Sequence, residues 1–393
     1  MSRNLWILAI CQAIFTSNTS LMITINGLIG YRLAENKALA TLPVSAAIIG
    51  VALGTIPASL LMRRFGRRLG FIVGNGIGIV GAGFGAWGLL EGSFVLLTLG
   101  AILQGIFNAH GQLYRFAAAD GVEESLRGKA ISMVLVGGVA AGFFGPQIAK
   151  WTRSAMDIEF LGSYAASVGL LLTAILLVSF LTLPPPTAEK QDGPERPLPT
   201  IALQPMFIVA AVAGMMGFSV MSLIMTGTPL AMVGHNLHFN DAAWVIQWHV
   251  VAMYLPSFFT GSLITRFGVL RIIVLGGLLN IGAMAVGLMG VALFHFWVAL
   301  VLLGVGWNFM FIGGSTLVTR TYRASERPKS QALNDFMVFG ATAVASLSSG
   351  QLLHHLGWFP VLLAGLPMVG FALLLTLWLH IRLKGSEPAF KPV

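Results

Sequence analysis

Twelve apolar runs, each long enough to cross a membrane as a helix, constrain this chain more than any other feature of its sequence. A helix needs about 20 predominantly apolar residues to cross roughly 30 Å of hydrocarbon. We predict spans at residues 5–31, 42–62, 69–90, 94–117, 130–148, 164–183, 207–233, 242–264, 272–293, 296–318, 332–353 and 359–381. The chain is therefore predicted to be an all-α membrane protein.

The composition supports a membrane location. Of the 393 residues, 56% are hydrophobic and 9% are charged, whereas an average soluble domain has about 25% charged residues. Too few charged side chains are present to cover a water-soluble surface, so we expect the lipid bilayer to be the main solvent. The net charge of +9 does not indicate nucleic-acid binding, because the basic residues are scattered among short loops between the apolar runs.

An internal repeat relates the first six spans to the last six. The triplet Arg-Phe-Gly at 64–66 recurs at 266–268, and the same offset of 202 residues pairs Gly74 with Gly276. A repeat of this length is typical of a transporter built from two similar halves. We predict an N-terminal six-helix bundle over 1–183, a Pro-rich linker over 184–200 and a C-terminal six-helix bundle over 201–393.

The basic residues predict the orientation in the membrane. If both termini lie on one side, the opposite side holds only Arg32, Lys37, Lys150 and Arg153 of the 23 Lys and Arg residues. Because cytoplasmic loops carry the excess of Lys and Arg, we predict a multi-pass protein of the cell (inner) membrane with both termini and the linker in the cytoplasm. We expect it to act as a monomer.

No motif typical of an enzyme is present in the sequence. It has no phosphate-binding P-loop, no zinc-ligand spacing and no nucleophile placed with a base. The single cysteine, Cys11, lies inside the first apolar run. We therefore expect no catalytic residue, no metal site and no cofactor.

The loop after the second span of each half carries a resemblance to a known family. The first copy matches the pattern Gly-x-Leu-x-Asp-Arg-x-Gly-Arg-Arg at Leu61, Arg64, Gly66, Arg67 and Arg68. The second copy matches it at Gly261, Leu263, Arg266 and Gly268. The chain thus resembles, over essentially its whole length, the major facilitator superfamily of secondary transporters. The resemblance implies two six-helix halves that rock around a central substrate site.

The first loop departs from the family pattern at Arg63, where the family has Asp. In the family, that acid lies near the start of helix eleven and helps to hold the outward-facing state. Asp335 lies about one turn into our predicted eleventh span, so we hypothesise a charge-swapped pair; the alternatives are that Asp335 caps the helix or exchanges a proton. The counterparts at the offset of 202, Thr265 and Met133, are both uncharged. The predicted gating residues are Arg63, Arg64, Gly66, Arg67, Arg68, Asp335, Arg266 and Gly268.

Polar side chains recur on one face of several predicted spans. In the fourth span, Gln104, Asn108 and Gln112 are four residues apart and share a face. The first span carries Gln12, Ser17, Asn18, Thr19, Ser20, Thr24 and Asn26. We predict a substrate site formed by Gln12, Asn18, Asn108, Gln112, Ser222, Thr226, Gln247, Trp248, Trp307 and Asn308. The alternatives are hydrogen bonds between helices and, for the Trp residues of the eighth span, a belt at the membrane interface.

The predicted site is neutral and has aromatic walls, which disfavours anionic substrates. We predict a secondary active transporter that moves a small, largely neutral or aromatic organic solute by alternating access. We expect an ion gradient, of protons or another coupling ion, or the substrate gradient to drive it rather than ATP. Candidate proton sites are His110, His249 and Asp335, although a lone histidine in a membrane more often packs through a hydrogen bond.

The direction of transport stays open between efflux of a metabolite or drug and uptake of a nutrient or vitamin. The antiporter pattern of the fourth span is met by Gln104 and Gly105, but Ala101 stands where that pattern has Arg. An alternative from another class is a membrane receptor that kept the fold and does not transport.

Overall fold

The apolar runs form long helices. The computed structural model describes residues 3–114, 117–118, 127–182, 196–323 and 326–384. Some side chains within these ranges, among them that of Arg63, lie outside the description. The N-terminal half contains α1 (Arg3–Leu33), α2 (Leu42–Phe65), α3 (Arg67–Leu90), α4 (Phe94–Gly111), α5 (Arg127–Thr152) and α6 (Leu161–Ser179). The C-terminal half contains α7 (Pro205–Gly234), α8a (Phe239–Tyr254), α8b (Ser257–Phe267), α9 (Val269–Leu288), α10 (Leu293–Val318), α11 (Arg327–Leu356) and α12 (Trp358–Lys384).

The predicted fold class, an all-α membrane protein, is confirmed. Ten of the helices are long and apolar enough to cross a membrane, and the pair α8a and α8b forms an eleventh span that is bent by 42°. Helix α5, with 26 residues, coincides with the remaining predicted span. Helices α1 and α7 are the most enclosed, with 72% and 78% of their most apolar windows buried, whereas the value for α12 is 33%.

Each half repeats the same helix packing. In the first half α1 packs on α5, α2 on α4, and α3 on both α4 and α6. In the second half α7 packs on α11, α8a on α10, and α9 on both α10 and α12. The halves meet where α2 packs against α11 and where α5 packs against α8a. The inter-half contacts therefore follow the internal repeat as well.

The repeated loops have the same backbone geometry. Gly66 and Gly268 both have φ of +88°, which other residues rarely adopt, and each joins two helices without a spacer. Their amides donate to the carbonyls of Met62 at 3.0 Å and Ile264 at 2.9 Å. The end of the bundle that holds these two loops is called the basic end below, and the opposite end is called the far end.

Buried clusters differ between the two ends. At the basic end each half has a cluster of its own, one containing Phe71 and Tyr114 and the other containing Phe207 and Ile273. At the far end one cluster joins residues of both halves, including Phe160 of the first half and Phe239 of the second. The far end is therefore where the hydrophobic core crosses between the halves.

The predicted linker over 184–200 lies mostly outside the described residues, and its bounds remain a prediction. Its last part is anchored to the second half, because the Arg196 side chain donates to Glu326 through Nε at 2.8 Å and Nη2 at 2.6 Å. The Lys329 ammonium donates to the Arg196 carbonyl at 2.6 Å. The hydrogen bonds from Arg196 hold the pKa of the Glu326 carboxyl well below its usual range.

Candidate functional site

A central cavity lies between the two halves. It has an empty volume of about 1200 Å³, including the part that is open to solvent, and it is walled by α1, α2 and α4 on one side and by α7, α8a and α11 on the other. Its polar lining residues are Thr16, Thr19, Ser20, Asn26, Gln104, Asn108, Gln112, Ser222, Thr226 and Tyr254. The remaining lining residues are apolar, among them Phe15, Phe218 and Phe339. No Asp, Glu, Lys, Arg or His is among the described residues that line it.

The cavity extends toward the basic end. Gln112 follows the last residue of α4, and Tyr254 is the last residue of α8a; both helices run from the far end to the basic end, and both residues line the cavity. Beyond the cavity, toward the far end, polar and ring contacts join the halves, as between Ser45 and Ser346 and between Phe160 and Phe239. The cavity is thus closed at the far end by contacts between the halves.

Hydroxyl groups join α2 to α11 at the far end. The Ser45 hydroxyl donates to Ser346 Oγ at 3.0 Å, and the Thr41 hydroxyl donates to the Ser346 carbonyl at 3.3 Å. Ser346 Oγ also lies 3.1 Å from the hydroxyl of Thr226, which lines the cavity. The helices approach closely here because Gly350 has no side chain; a Cβ at Gly350 would lie 2.3 Å from Thr41 Oγ1.

An amide pair and an aromatic contact join α5 to α8a. Gln147 Nε2 donates to Gln247 Oε1 at 2.7 Å, and the rings of Phe143 and Trp248 meet edge to face at 5.7 Å. These contacts join the halves directly.

A charged cluster completes the closure. The Arg153 guanidinium lies 4.7 Å from the ring centroid of Phe239 in the other half. Arg153 and Arg32 both pair with the Glu159 carboxylate. Burial alone would raise the pKa of Glu159, but the hydrogen bonds from Arg32 and Arg153 outweigh it and hold that pKa below its usual range.

Four of the predicted site residues line the cavity: Asn108, Gln112, Ser222 and Thr226. The Asn108 carbonyl oxygen accepts a hydrogen bond from Thr19 at 2.8 Å. Asn108 and Gln112 are four residues apart on one face, and both lie on the cavity side.

Two predicted asparagines lie between helices of one half instead. Asn18 is fully buried and donates to Gln104 Oε1 at 3.0 Å. Asn308 is also fully buried, and its Nδ2 donates to the Met253 carbonyl and to Ser257 Oγ, both at 2.7 Å. The break between α8a and α8b, next to Pro256, removes the intrahelical donor of the Met253 carbonyl, and Asn308 replaces it.

The other four predicted residues are also away from the cavity lining. Gln247 bridges the halves and Trp248 packs in an aromatic group with Trp297, at 6.4 Å between ring centroids. Trp307 stands behind the wall, edge-on to Phe218 at 5.3 Å, and Gln12 Nε2 donates to Thr16 Oγ1 at 3.3 Å.

The candidate proton sites occupy different places. The His110 ring lies 2.9 Å from the carbonyl of Ile106 in its own helix, and the His249 ring lies 2.7 Å from the Leu300 carbonyl. Both rings are buried within one half, and neither lines the cavity. Asp335 is half-buried near the start of α11 and accepts from Asn334 Nδ2 at 3.1 Å.

The predicted gating residues of both repeated loops lie at the basic end. Arg64 and Arg266 are exposed and lie over the rings of the next residues, Phe65 and Phe267, at 5.2 and 5.3 Å. Arg68 is exposed, and Arg67 Nη1 lies 3.8 Å from the sulfur of Met62. The side chain of Arg63 lies outside the described residues, so its pairing with Asp335 stays a prediction.

Sequence reasoning missed the residues that close the far end. Ser45 and Ser346 each have a hydroxyl residue one helical turn away, Thr41 and Thr342, but that spacing does not tell whether a hydroxyl faces the other half. Gln147 is an isolated polar residue that no pattern distinguishes. The aromatic wall of Phe218, Tyr254 and Phe339 comes from three different helices, and only the fold brings it together. Within the described part of the chain, no group of His, Cys, Asp or Glu is placed to hold a metal ion.

Comparison with known families agrees with this architecture. The sequence profile of the Major Facilitator Superfamily matches residues 5–246 and 206–393. The chain belongs to the Major Facilitator Superfamily. Among relatives of this transporter, the riboflavin transporter RfnT of Brucella anthropi is 41% identical over 389 residues, which cover 98% of this chain and 97% of the relative. The uncharacterized transporter YddS of Bacillus subtilis is 28% identical, over 92% of this chain and 87% of its own length.

Solved structures of the superfamily share the fold. A bacterial homologue of the human lysosomal transporter Spinster, in an inward-facing and occupied conformation, has a TM-score of 0.70 and 18% sequence identity, covering 98% of both chains. The xylose transporter XylE of E. coli, in a partially occluded inward-open conformation, has a TM-score of 0.68 and 13% identity, covering 96% of this chain and 98% of that one.

Proposed function

We propose that this superfamily transporter carries riboflavin, or a closely related neutral flavin, across the membrane by alternating access. The single observation that carries the proposal is the central cavity, which combines aromatic rings with neutral amides and hydroxyls. The 41% identity to a riboflavin transporter over nearly the full length of both chains supports the same substrate.

The neutral lining supports an uncharged substrate. Riboflavin has a planar three-ring system and a ribityl chain with four hydroxyl groups, and it has no charge near neutral pH. Its phosphate ester, FMN, would need a cation to offset the phosphate, because a charge is costly to hold in a site of low dielectric. The described lining residues offer no Lys, Arg or His for that purpose.

The aromatic wall supports a flat ring system. Phe218 and Phe339 line the cavity with their ring centroids 5.5 Å apart, and Trp307 and Phe311 support Phe218 from behind at 5.3 and 5.4 Å. Aromatic side chains bury a large area of a planar ligand and favour stacked or edge-to-face contacts. Binding pockets for small organic molecules commonly combine such walls with a few polar groups.

We propose import rather than exchange of a drug for a proton. The antiporter pattern of helix four has an Arg where this chain has the buried Ala101, so the cation of that pattern is absent at this position. With the basic end in the cytoplasm, the conformation described above is open to the cytoplasm. Transport would then require the far end to open while the basic end closes.

Uptake of radiolabelled riboflavin tests the proposal. Expression in a bacterial strain that can neither make nor import riboflavin should restore growth on micromolar riboflavin and give saturable uptake. Unlabelled riboflavin should compete, and FMN should compete at least about tenfold less well. Failure to accumulate riboflavin, with the protein present in the membrane, would contradict the proposal.

Asp335 is our proposed coupling residue, because it is a half-buried acid near the start of α11 at the basic end, whereas both histidines are buried within one half. We expect Asp335→Asn to abolish accumulation against a gradient while riboflavin still exchanges across proteoliposome membranes. Unchanged accumulation by that variant would contradict this role. Binding of riboflavin without any flux would favour the receptor alternative.

A further inference from the structure

The amides at the end of α4 are the cavity groups that the fold leaves most available. Gln104 is engaged at both ends, since its Oε1 accepts from Asn18 at 3.0 Å and its Nε2 donates to the Gly78 carbonyl at 2.7 Å. The Asn26 Oδ1 accepts from Tyr164 at 2.9 Å. In contrast, Gln112 makes no side-chain hydrogen bond to any described residue.

Asn108 keeps one half of its amide free. Its Oδ1 accepts from the Thr19 hydroxyl at 2.8 Å, and its Nδ2 has no acceptor among the described residues. Asn108 and Gln112 are one helical turn apart, and the backbone N–H of Gln112 donates to the backbone carbonyl of Asn108 at 3.0 Å. Their side chains are therefore neighbours on one face of the helix. Together they offer two donors, Asn108 Nδ2 and Gln112 Nε2, and one acceptor, Gln112 Oε1.

The aromatic wall stands at the same depth as these amides. Asn108, Gln112, Phe218, Tyr254 and Phe339 all lie about 14–18 residues from the far end of their helices, or roughly 21–27 Å at 1.5 Å per residue. A flat ring can therefore rest on the wall of the second half while its edge meets the amides of the first half.

We propose that Asn108 and Gln112 read the imide edge of the substrate ring. This inference rests on the proposed function. The pyrimidine ring of a flavin presents a carbonyl, an N–H and a second carbonyl in a row, that is, acceptor, donor, acceptor. The two amides supply the complementary donor, acceptor, donor set. A site that hydrogen-bonds a specific N–H discriminates strongly against an analogue that lacks it.

The same placement directs the ribityl chain toward the far end. Ser20 and Ser222 line the cavity about 12–13 residues from the far ends of α1 and α7, which is deeper than the amides. The Ser20 hydroxyl is buried, with 3% of the residue exposed, and has no partner among the described residues. Such a group is costly to leave unpaired, and a ribityl hydroxyl would pair it.

Binding of two flavins to purified protein tests the inference, measured by quenching of flavin fluorescence. The probes are riboflavin and 3-methylriboflavin, which lacks the imide N–H. The wild type should bind 3-methylriboflavin at least about tenfold more weakly. Gln112→Ala should weaken riboflavin binding by about tenfold and bring the ratio of the two affinities close to one. Asn108→Asp, which removes the donor and keeps the shape, should also weaken riboflavin.

Asn26→Ala is the matched control, because Asn26 is an amide of the same cavity at a deeper level. It should leave the ratio of the two affinities unchanged. Equal binding of both flavins by the wild type, or an unchanged ratio in Gln112→Ala, would overturn the assignment of the imide edge while riboflavin remains the substrate. Absence of riboflavin binding by the wild type would instead refute the proposed function, and the assignment with it.

Discussion

The two ends of the central cavity are bounded by the same helices but are held in different ways. At the far end the halves touch through single hydrogen bonds, such as Ser45 to Ser346 and Gln147 to Gln247, and through one shared apolar cluster that contains Phe160 and Phe239. At the basic end each half keeps its own buried cluster. A single hydrogen bond contributes about 0.5–1.5 kcal/mol net, whereas a buried large apolar side chain contributes about 1.5–3 kcal/mol. The hydrogen bonds between the halves are therefore individually easier to break than the apolar core within each half.

This difference fits a molecule whose halves move as units. Contacts inside a half should determine stability, and contacts between the halves should determine which end is open.

Charge reversal tests the basic end. We expect Arg63→Asp and Asp335→Arg each to slow riboflavin exchange across proteoliposome membranes at least about tenfold, because like charges would then oppose closure of that end, and the double variant to restore part of that exchange. Thr265→Asp is the matched control at the counterpart of Arg63 in the second half, and it should have little effect. Strictly additive losses in the double variant would argue against the pair.

Removal of one amide tests the far end. Gln147→Ala leaves the Gln247 carbonyl without its donor only when the far end is closed, at a cost of about 1–3 kcal/mol, which shifts the equilibrium toward the outward-open state by about 5–150-fold. A membrane-impermeant maleimide applied from outside should therefore label a Ser222→Cys reporter faster.

Gln351→Ala is the control for that experiment, because Gln351 lies on α11 near the far end and makes no hydrogen bond to the other half among the described residues. The native Cys11 is buried and should not interfere. Equal labelling rates with and without Gln147→Ala would mean that the amide pair does not hold the far end closed.

Two asparagines separate stability from binding. Asn308 supports the broken helix within one half, so Asn308→Ala should lower the thermal unfolding midpoint by several degrees, for a loss of about 3 kcal/mol. Asn108→Ala should leave the midpoint nearly unchanged and weaken riboflavin binding. A thermal midpoint that falls equally in both variants would remove the distinction between the two positions.

The smallest effect concerns pH. The pKa of Glu159 is lowered in the folded protein by its pairing with Arg32 and Arg153. The stability that this pairing contributes is therefore fully present above the pKa of the unfolded state, and it is lost only as the pH falls through the lower folded value. Maleimides react with the thiolate, whose fraction falls with pH. We therefore expect the rate of labelling of the Ser222→Cys reporter from outside, divided by the rate for a free thiol at the same pH, to stay constant between about pH 8 and 5. If the labelling of the reporter rose steeply on this scale as the pH fell through that range, Glu159 would not be the group that holds Arg153 in place.

The sequence predicts the fold and only part of the site. The spans and the repeat follow from lengths and spacing, and both repeated glycines have the same positive φ. Helical spacing also places Asn108 and Gln112 on the cavity side. It does not distinguish Asn108 from Asn308, because whether an amide faces the cavity or a neighbouring helix depends on helix rotation. Pro256 is the sequence signal for the break between α8a and α8b. Asn308 hydrogen-bonds the Met253 carbonyl at that break and is therefore not available to the cavity.

A reversible lock at the far end tests whether transport requires that end of the cavity to open. Ser45 and Ser346 Oγ atoms lie 3.0 Å apart, which suits a disulfide between Ser45→Cys and Ser346→Cys. In proteoliposomes, the oxidised double variant should bind riboflavin from the basic end but transport none, and reduction should restore flux. Riboflavin flux that continues when the disulfide is fully formed would contradict alternating access through this cavity.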